Sequence, residues 1–298
     1  CRFLSITFAR VNIIIIFEKY LSNIYHILII RNPKKYLQNQ TIKLAEIFDQ
    51  NVKEVFDEKI QQEIDSKMFD SLKAIDILTK EENIIIDKTE PILKDFQEIH
   101  HRRNSYVHSE GKAVKRYLKN VDQKFKENIK ENDFLYCDEK YINNSINLLI
   151  KIIFSFTLGM LTKSKINEDN LTKISNYFFE RLSSKEYELA KFGYLSLYNL
   201  KEVEMKDKTM FLINYLNALK QLKKTDEFNE KIKKLDVSMA TDDFKIAKEC
   251  LLDNNKKVFE LLKDTYPKSF DAVCIREWPI FINFRKTEFY QEFVNLHK

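Results

Sequence analysis

The feature that most constrains this chain is its shortage of turn-forming residues. Only three glycines and four prolines occur in 298 residues. A β-rich fold connects its strands through tight turns that commonly use these two residue types, so the shortage favours helices. A chain of this length can bury one large core or two ordinary ones without disulfide staples. The sequence therefore predicts an all-α protein.

Apolar residues recur at helical spacing along the first half of the chain, with charged residues on the opposite face. Several antiparallel helices of this kind make a bundle. We predict helices over residues 3–30, 40–69, 70–80, 91–110 and 138–161, with a buried connector at Ile84–Ile86.

The first of these helices is apolar enough to raise the question of a membrane. A membrane-spanning helix needs about 20 consecutive apolar residues, whereas Arg10, Glu18 and Lys19 interrupt this one. No small-residue cleavage motif of a signal peptide follows. We therefore expect a buried helix that ends near Arg31, and no membrane association.

The pattern changes near residue 163, and we predict two domains, a bundle over 1–163 and a second helical domain over 164–298. Helices become shorter and pair, as in 186–200 with 210–222 and 243–253 with 256–265. The second domain resembles a tetratricopeptide-type α-solenoid with an irregular period. In the last pair we expect four residues to pack together: Ala247, Leu251, Val258 and Leu262.

Charge and cysteine content bound the kinds of partner. The formal net charge of +5 permits a polyanionic partner without requiring one. Four cysteines are scattered without a Cys-x-x-Cys spacing, which predicts reduced thiols in the cytoplasm and neither a disulfide framework nor a zinc site. We expect no metal and no cofactor, since no Gly-rich phosphate loop occurs either.

The densest functional chemistry lies between Pro91 and Leu118. Thr89 is placed to cap a helix there, and Gly111 is placed to end it in a left-handed conformation. Three of the five histidines of the chain fall in its last turns. The polar residues concentrated there are His100, His101, Arg102, Arg103, Asn104 and His108.

This stretch resembles the HEPN superfamily, whose mark is an Arg followed after a few residues by a His near the end of a bundle helix. Arg103 and His108 have that spacing, and Asn104 follows the Arg directly. The resemblance covers about residues 10–163. It implies an antiparallel helical bundle that acts as a homodimeric, metal-independent endoribonuclease on RNA, in the setting of a toxin or a prokaryotic antiviral defence effector.

The chemistry of these residues suits RNA cleavage by the 2′-OH of the substrate. His108 can act as general acid and base, because a His titrates near neutral pH. Arg103 can bind the phosphate and stabilise the developing charge, while Asn104 orients its neighbours. His101 is a candidate accessory residue. Glu110 stands where nucleotidyltransferase-regulated HEPN toxins carry a modified Tyr, so that regulation is not expected.

Four basic residues are candidates for RNA binding: Arg102, Lys112, Lys115 and Arg116. The alternative is a plain solvated face. We expect Arg102 to face solvent, and we expect His100 and His101 to be exposed. On a regular helix Arg103 follows Phe96 and Ile99 on the apolar face, where a charge is costly unless it is paired or opens into a cleft.

Two non-catalytic alternatives remain open. Arg103 and His108 could form a structural hydrogen-bonded pair that caps the helix end. More broadly, the bundle could be an inactive HEPN-fold dimerisation scaffold whose C-terminal helices bind a protein partner or an antitoxin. An Arg103 that is buried and bonded to a carboxylate of its own subunit would favour the scaffold.

Overall fold

The structure is a computed structural model that describes residues 2–49, 51–68, 70–82, 90–163 and 167–297. The chain divides into two compact units, Cys1–Leu161 and Thr162–Lys298. The predicted all-α class is confirmed, since the described residues form helices and only an isolated antiparallel bridge, between Lys112 and Phe134. The predicted Ile84–Ile86 connector and the Thr89 cap lie outside the described residues.

Eight α-helices lie in the described part of the first unit. They are α1 (Arg2–Arg31), α2 (Pro33–Tyr36), α3 (Leu44–Asp49), α4 (Val52–Met68), α5 (Ser71–Glu82), α6 (Glu90–His108), α7 (Lys115–Asn120) and α8 (Glu139–Lys163). Six of them, α1, α2, α4, α5, α6 and α8, contribute side chains to one buried core. That core is where the apolar stripe of each helix removes its surface from water.

The prediction of a single helix over 40–69 is wrong. The structure has two helices there, α3 and α4, and the apolar residues of the predicted stripe separate into two groups. Val55, Ile60 and Ile64 are buried, whereas Leu44 and Phe48 are exposed. Residues on α3 therefore do not share the core that α4 joins.

The predicted end of the first helix near Arg31 is confirmed. Asn32 follows α1, and its side-chain oxygen accepts a hydrogen bond from the Lys35 backbone N–H at the start of α2. Two helical segments, Ile13–Arg31 and Glu139–Thr162, are long and apolar enough to cross a membrane, and 39% of each is buried within the protein. The absence of a membrane association stays a prediction.

Eight further α-helices lie in the described part of the second unit, together with short 3₁₀ turns at Pro279–Phe281 and Phe284–Lys286. They are α9 (Glu168–Ser183), α10 (Tyr187–Tyr198), α11 (Met205–Gln221), α12 (Thr225–Ile232), α13 (Asp242–Leu251), α14 (Asn255–Thr265), α15 (Ala272–Glu277) and α16 (Glu288–Leu296). Helix α10 packs against both α9 and α11, and α13 packs against α14.

Both predicted helix pairs occur in the second unit as α10 with α11 and α13 with α14. The four residues predicted to pack in the latter pair are all buried. Gly193 on α10 permits the close approach of α9, because a Cβ there would lie 2.2 Å from the ring of Phe178. The likeness to tetratricopeptide repeats stays a prediction.

Candidate active site

The end of α6 carries the candidate residues, and local backbone geometry fixes where it stops. Gly111 adopts a left-handed conformation with φ +78°, as predicted, and its N–H donates to the Ser105 carbonyl at 2.9 Å. The chain then pairs briefly with a later segment, since the Leu135 N–H donates to the Gly111 carbonyl and the Ala113 N–H to the Asp133 carbonyl. The segment after α6 is therefore anchored.

Arg102 belongs to a buried network that joins α6 to α7 and to the segment before α8. All three of its side-chain nitrogens donate: Nε to Glu98 at 2.5 Å, Nη1 to the Tyr136 carbonyl at 2.6 Å, and Nη2 to the Tyr117 hydroxyl at 3.2 Å. Its guanidinium also lies 4.6 Å from the centre of the Tyr141 ring. The expectation that Arg102 faces solvent is wrong, because these groups enclose it and leave it 9% exposed. These contacts disfavour a direct role for Arg102 in RNA binding.

Glu98 is the acceptor at the centre of this network and is only 1% exposed. Its Oε1 also accepts from the Tyr117 hydroxyl at 2.8 Å, and its Oε2 accepts from the Tyr141 hydroxyl at 2.7 Å. Burial would lower the pKa of Arg102, but the Glu98 carboxylate and both tyrosines raise it above its usual value. The buried charges are thus paired and hydrogen-bonded, the condition under which burial is tolerated.

Arg103 is the next residue along α6, but its surroundings differ. As predicted, it lies on the apolar side of the helix, where Ile13, Ile14 and Ile99 line the same small cavity. It is partly buried and donates from Nη1 to the Asn104 side-chain oxygen at 3.0 Å. Its Nε is buried and has no hydrogen-bond partner among the described residues.

Asn104 links Arg103 to a polar group between α5 and α6. Its Nδ2 lies 3.0 Å from His100 Nε2, and His100 Nδ1 lies 2.9 Å from the hydroxyl of Ser71. Burial raises the pKa of Glu18 on α1, and the nearby Arg103 and Ser71 act against that rise. Two helices, α5 and α6, contribute to the chain of hydrogen bonds from Ser71 through His100 and Asn104 to the Arg103 guanidinium.

The expectation that His100 and His101 are exposed is wrong. His100 is 6% and His101 9% exposed, because α6 packs this face against α5 and the two rings contact each other edge to face. Burial lowers the pKa of His100 to about 4, with Arg103 and Arg116 adding to the effect against Asp70. Burial and Arg116 likewise lower the pKa of His101. Both rings are therefore neutral near pH 7.

His108 occupies the last turn of α6 and is exposed. It does not pair with Arg103, whose side-chain hydrogen bond goes to Asn104, so the predicted alternative of a structural cap made by these two residues does not hold. The exposed ring is accessible to solvent and to a bound molecule.

Three of the predicted RNA-binding residues, Lys112, Lys115 and Arg116, are exposed just beyond the helix end. Arg116 lies near enough to His101 to affect its pKa, so positive charge lies next to the buried histidines. We call these three residues the basic rim. Their contact with RNA stays a prediction.

Sequence reasoning missed the partners that hold the candidate residues in place. Glu98 precedes Arg102 by four residues, a spacing that favours an ion pair on a helix, and this signal was present in the sequence. Ser71 and Glu18 gave no such signal, because only the packing of α1 and α5 on α6 brings them close. Among the described residues, no three His, Cys, Asp or Glu side chains cluster as metal ligands would.

Comparison of the chain with known proteins found no matching protein-family model, no similar curated protein and no similar solved structure. The resemblance to HEPN proteins therefore rests on the residues of α6.

Proposed function

We propose that this chain is a metal-independent endoribonuclease of the HEPN type, acting as a homodimer and serving as a toxin or a prokaryotic defence effector. The observation that carries the proposal is the state of Arg103. Its guanidinium is held by Asn104, not by an ion pair within 4 Å to a carboxylate of the described residues, and its Nε has no partner among them. A cation held in that way has donors left for a phosphate.

The proposed reaction needs a proton removed from the 2′-OH, charge stabilised on the phosphorane, and a proton delivered to the leaving 5′-oxygen. His108 is the exposed group that transfers protons, because imidazole can bind and release them near neutral pH. Arg103 binds the non-bridging oxygens through paired donors and gains most where their charge grows. Asn104 holds the guanidinium in place.

One copy of α6 does not aim both groups at the same phosphate. Five residues along a regular helix separate Arg103 from His108 by about 7.5 Å in height and about 140° around the axis. In the proposed dimer, Arg103 of one copy and His108 of the other act on the same phosphate. Each dimer then has two composite sites.

The test is cleavage of end-labelled RNA by the purified full chain in the presence of a chelator. We expect fragments that end in a cyclic phosphate. The change Arg103→Ala should lower the rate by about 10²–10³-fold, the cost of one preorganised donor to a developing oxyanion. His108→Ala should lower it by about 10²–10⁴-fold. His26→Ala and Arg31→Ala remove exposed residues of the same types from α1 and should cleave as the unmodified chain does.

Mixing the two inactive variants tests the composite site directly. A mixed dimer of Arg103→Ala with His108→Ala chains contains one site with both residues intact and one with neither. We expect cleavage to reappear on mixing after subunit exchange. A mixture that stays inactive although mixed dimers form would contradict the composite site, and an unmodified dimer that cleaves no RNA would favour the dimerisation scaffold.

A further inference from the structure

The hydrogen bonds that link Arg103 to Asn104, His100 and Ser71 each have a fixed donor and acceptor. These roles determine which ring nitrogen of His100 carries the proton. A guanidinium only donates hydrogen bonds, so the Asn104 oxygen that faces Arg103 Nη1 is the acceptor. The other end of the amide, Nδ2, then donates to His100 Nε2, which must carry no proton.

A neutral imidazole has one protonated nitrogen, so the proton of His100 is on Nδ1 and is donated to the Ser71 oxygen. Asn104 and His100 each accept from one neighbour and donate to the next, so neither can turn around without breaking a contact. We call Ser71, His100 and Asn104 the α5–α6 relay.

We infer that His100 is a positioning residue of the nuclease site: held by Ser71 in the Nδ1-protonated form, it fixes the Asn104 amide and through it the Arg103 guanidinium. This inference rests on the proposed function for its consequence in catalysis, but its structural part does not.

The physical reason for such a device is the flexibility of arginine. Holding a long side chain in one geometry costs rotamer entropy, and a cation that must reorient during the reaction stabilises the transition state less than one already in place. In the α5–α6 relay, buried groups hold the Arg103 guanidinium in its geometry before the reaction begins. Ser71 is fully buried and His100 is 6% exposed, so water does not compete for the hydrogen bond between them. The depressed pKa of His100 keeps its Nε2 an acceptor at neutral pH.

The first experiment is independent of RNA cleavage. Nitrogen-15 NMR of the histidines in the full chain identifies which ring nitrogen is protonated, and a His100→Gln spectrum assigns the signal. We expect His100 to be neutral at pH 7 with the proton on Nδ1. The rotation of the Arg103 guanidinium, measured by NMR, should become faster in Ser71→Ala and in His100→Leu.

An Nε2-protonated or charged His100 at pH 7 would overturn the assignment. So would guanidinium rotation that neither variant changes.

The second experiment asks whether the relay matters to catalysis. Loss of one buried hydrogen bond is worth about 1.4 kcal/mol, so Ser71→Ala should lower kcat about tenfold. KM should change little, because RNA binding depends mainly on phosphate contacts at the surface. His100→Gln should restore most of the kcat lost in His100→Leu, since an amide can accept from Asn104 and donate to Ser71.

Equal losses in the Gln and Leu variants, both folded, would contradict the polar role of His100. If the unmodified chain cleaves no RNA, the proposed function fails while the NMR result still decides the relay. If it cleaves RNA and His100→Leu keeps the original kcat, the proposed function stands and the positioning role fails.

Discussion

Arg102 and Arg103 are adjacent residues of the same type, but they differ in how fully the protein satisfies their hydrogen-bond donors. Every side-chain nitrogen of Arg102 donates to a protein group, and a buried carboxylate neutralises it. Arg103 makes one side-chain hydrogen bond, to Asn104, and its buried Nε has no partner among the described residues. The two side chains leave α6 about 100° apart and both line the same small cavity, but their hydrogen-bond partners differ.

The difference separates an arginine that holds the fold together from one that is available for a ligand. A fully satisfied buried ion pair gives little net stability but is costly to break. A guanidinium with an unused donor costs stability in the absence of a ligand, and such costs tend to be found at functional sites. Saturation of hydrogen bonds, more than charge or burial alone, distinguishes the two residues.

The largest expected effect is in the hydrogen-bond network of Arg102. Glu98→Ala leaves a buried guanidinium without its counter-charge and should destabilise α6 by about 3–5 kcal/mol. Arg103→Ala should change its stability by less than about 1 kcal/mol. Hydrogen exchange of α6 amides in the full chain measures both. A loss below about 1 kcal/mol in Glu98→Ala would remove the distinction between the two arginines.

The second prediction concerns how His100, which holds Asn104 and through it Arg103, affects the stability of the protein in acid. His100 has a pKa lowered to about 4, whereas an unfolded His titrates near 6.5, so only the unfolded chain takes up this proton between those values. The stability due to neutral His100 is complete above about pH 6.5, is lost as pH falls toward 4, and changes no further below that.

The expected size of this loss is about 3 kcal/mol, because each unit of pKa difference is worth about 1.4 kcal/mol. Denaturant unfolding between pH 7 and 4.5 should therefore show a shallower pH dependence for His100→Gln than for the original chain. The charges of Asp70, Arg103 and Arg116 act on the His100 ring, and all three residues are present in both chains, so the difference in slope reports the change at His100. His26→Gln, an exposed control, should keep the original slope.

The sequence predicts the helices of this protein better than it predicts the surroundings of their polar residues. Periodicity located α1, α5, α6 and α8, because an apolar stripe every 3.6 residues is a local signal. It also placed Arg103 on the apolar side of α6, since that position follows from helix geometry alone. The break between α3 and α4 was missed, because the apolar spacing continues across it.

Burial of polar residues could not be predicted in the same way. His100, His101 and Arg102 were expected at the surface, as such residues usually are, but all three are buried, and His100 and Arg102 bond to residues outside α6. The partner of Arg102 at Glu98 was within reach of sequence reasoning. The partner of His100 at Ser71 was not, because 29 residues separate them and only the packing of α5 on α6 joins them.

A smaller effect should follow from removing one donor of the saturated network. Tyr141→Phe deletes the hydroxyl that donates to Glu98 Oε2 at 2.7 Å and keeps the ring beneath Arg102. Hydrogen bonds to charged groups are worth about 1.5–3 kcal/mol, and partial solvent access puts this one near the lower end. Asn104→Ala is the matched change beside Arg103 and should lower the stability of α6 by about 1 kcal/mol or less. Hydrogen exchange that ranks the two in reverse would show that the Glu98 network tolerates an unsatisfied carboxylate oxygen.

The smallest effect is expected for the basic rim, and it tests whether the end of α6 that carries Arg103 and His108 faces RNA. An exposed Lys that contacts a phosphate displaces a counterion, so its removal should lower the slope of log affinity against log salt by about 0.7 for single-stranded RNA. We expect this change for Lys115→Ala, measured with the inactive His108→Ala chain so that the RNA stays intact. Lys256→Ala, an exposed lysine of the second unit, should leave the slope unchanged. Equal slopes in all three chains would mean that the rim is only a solvated face, and RNA would then have to reach Arg103 without its help.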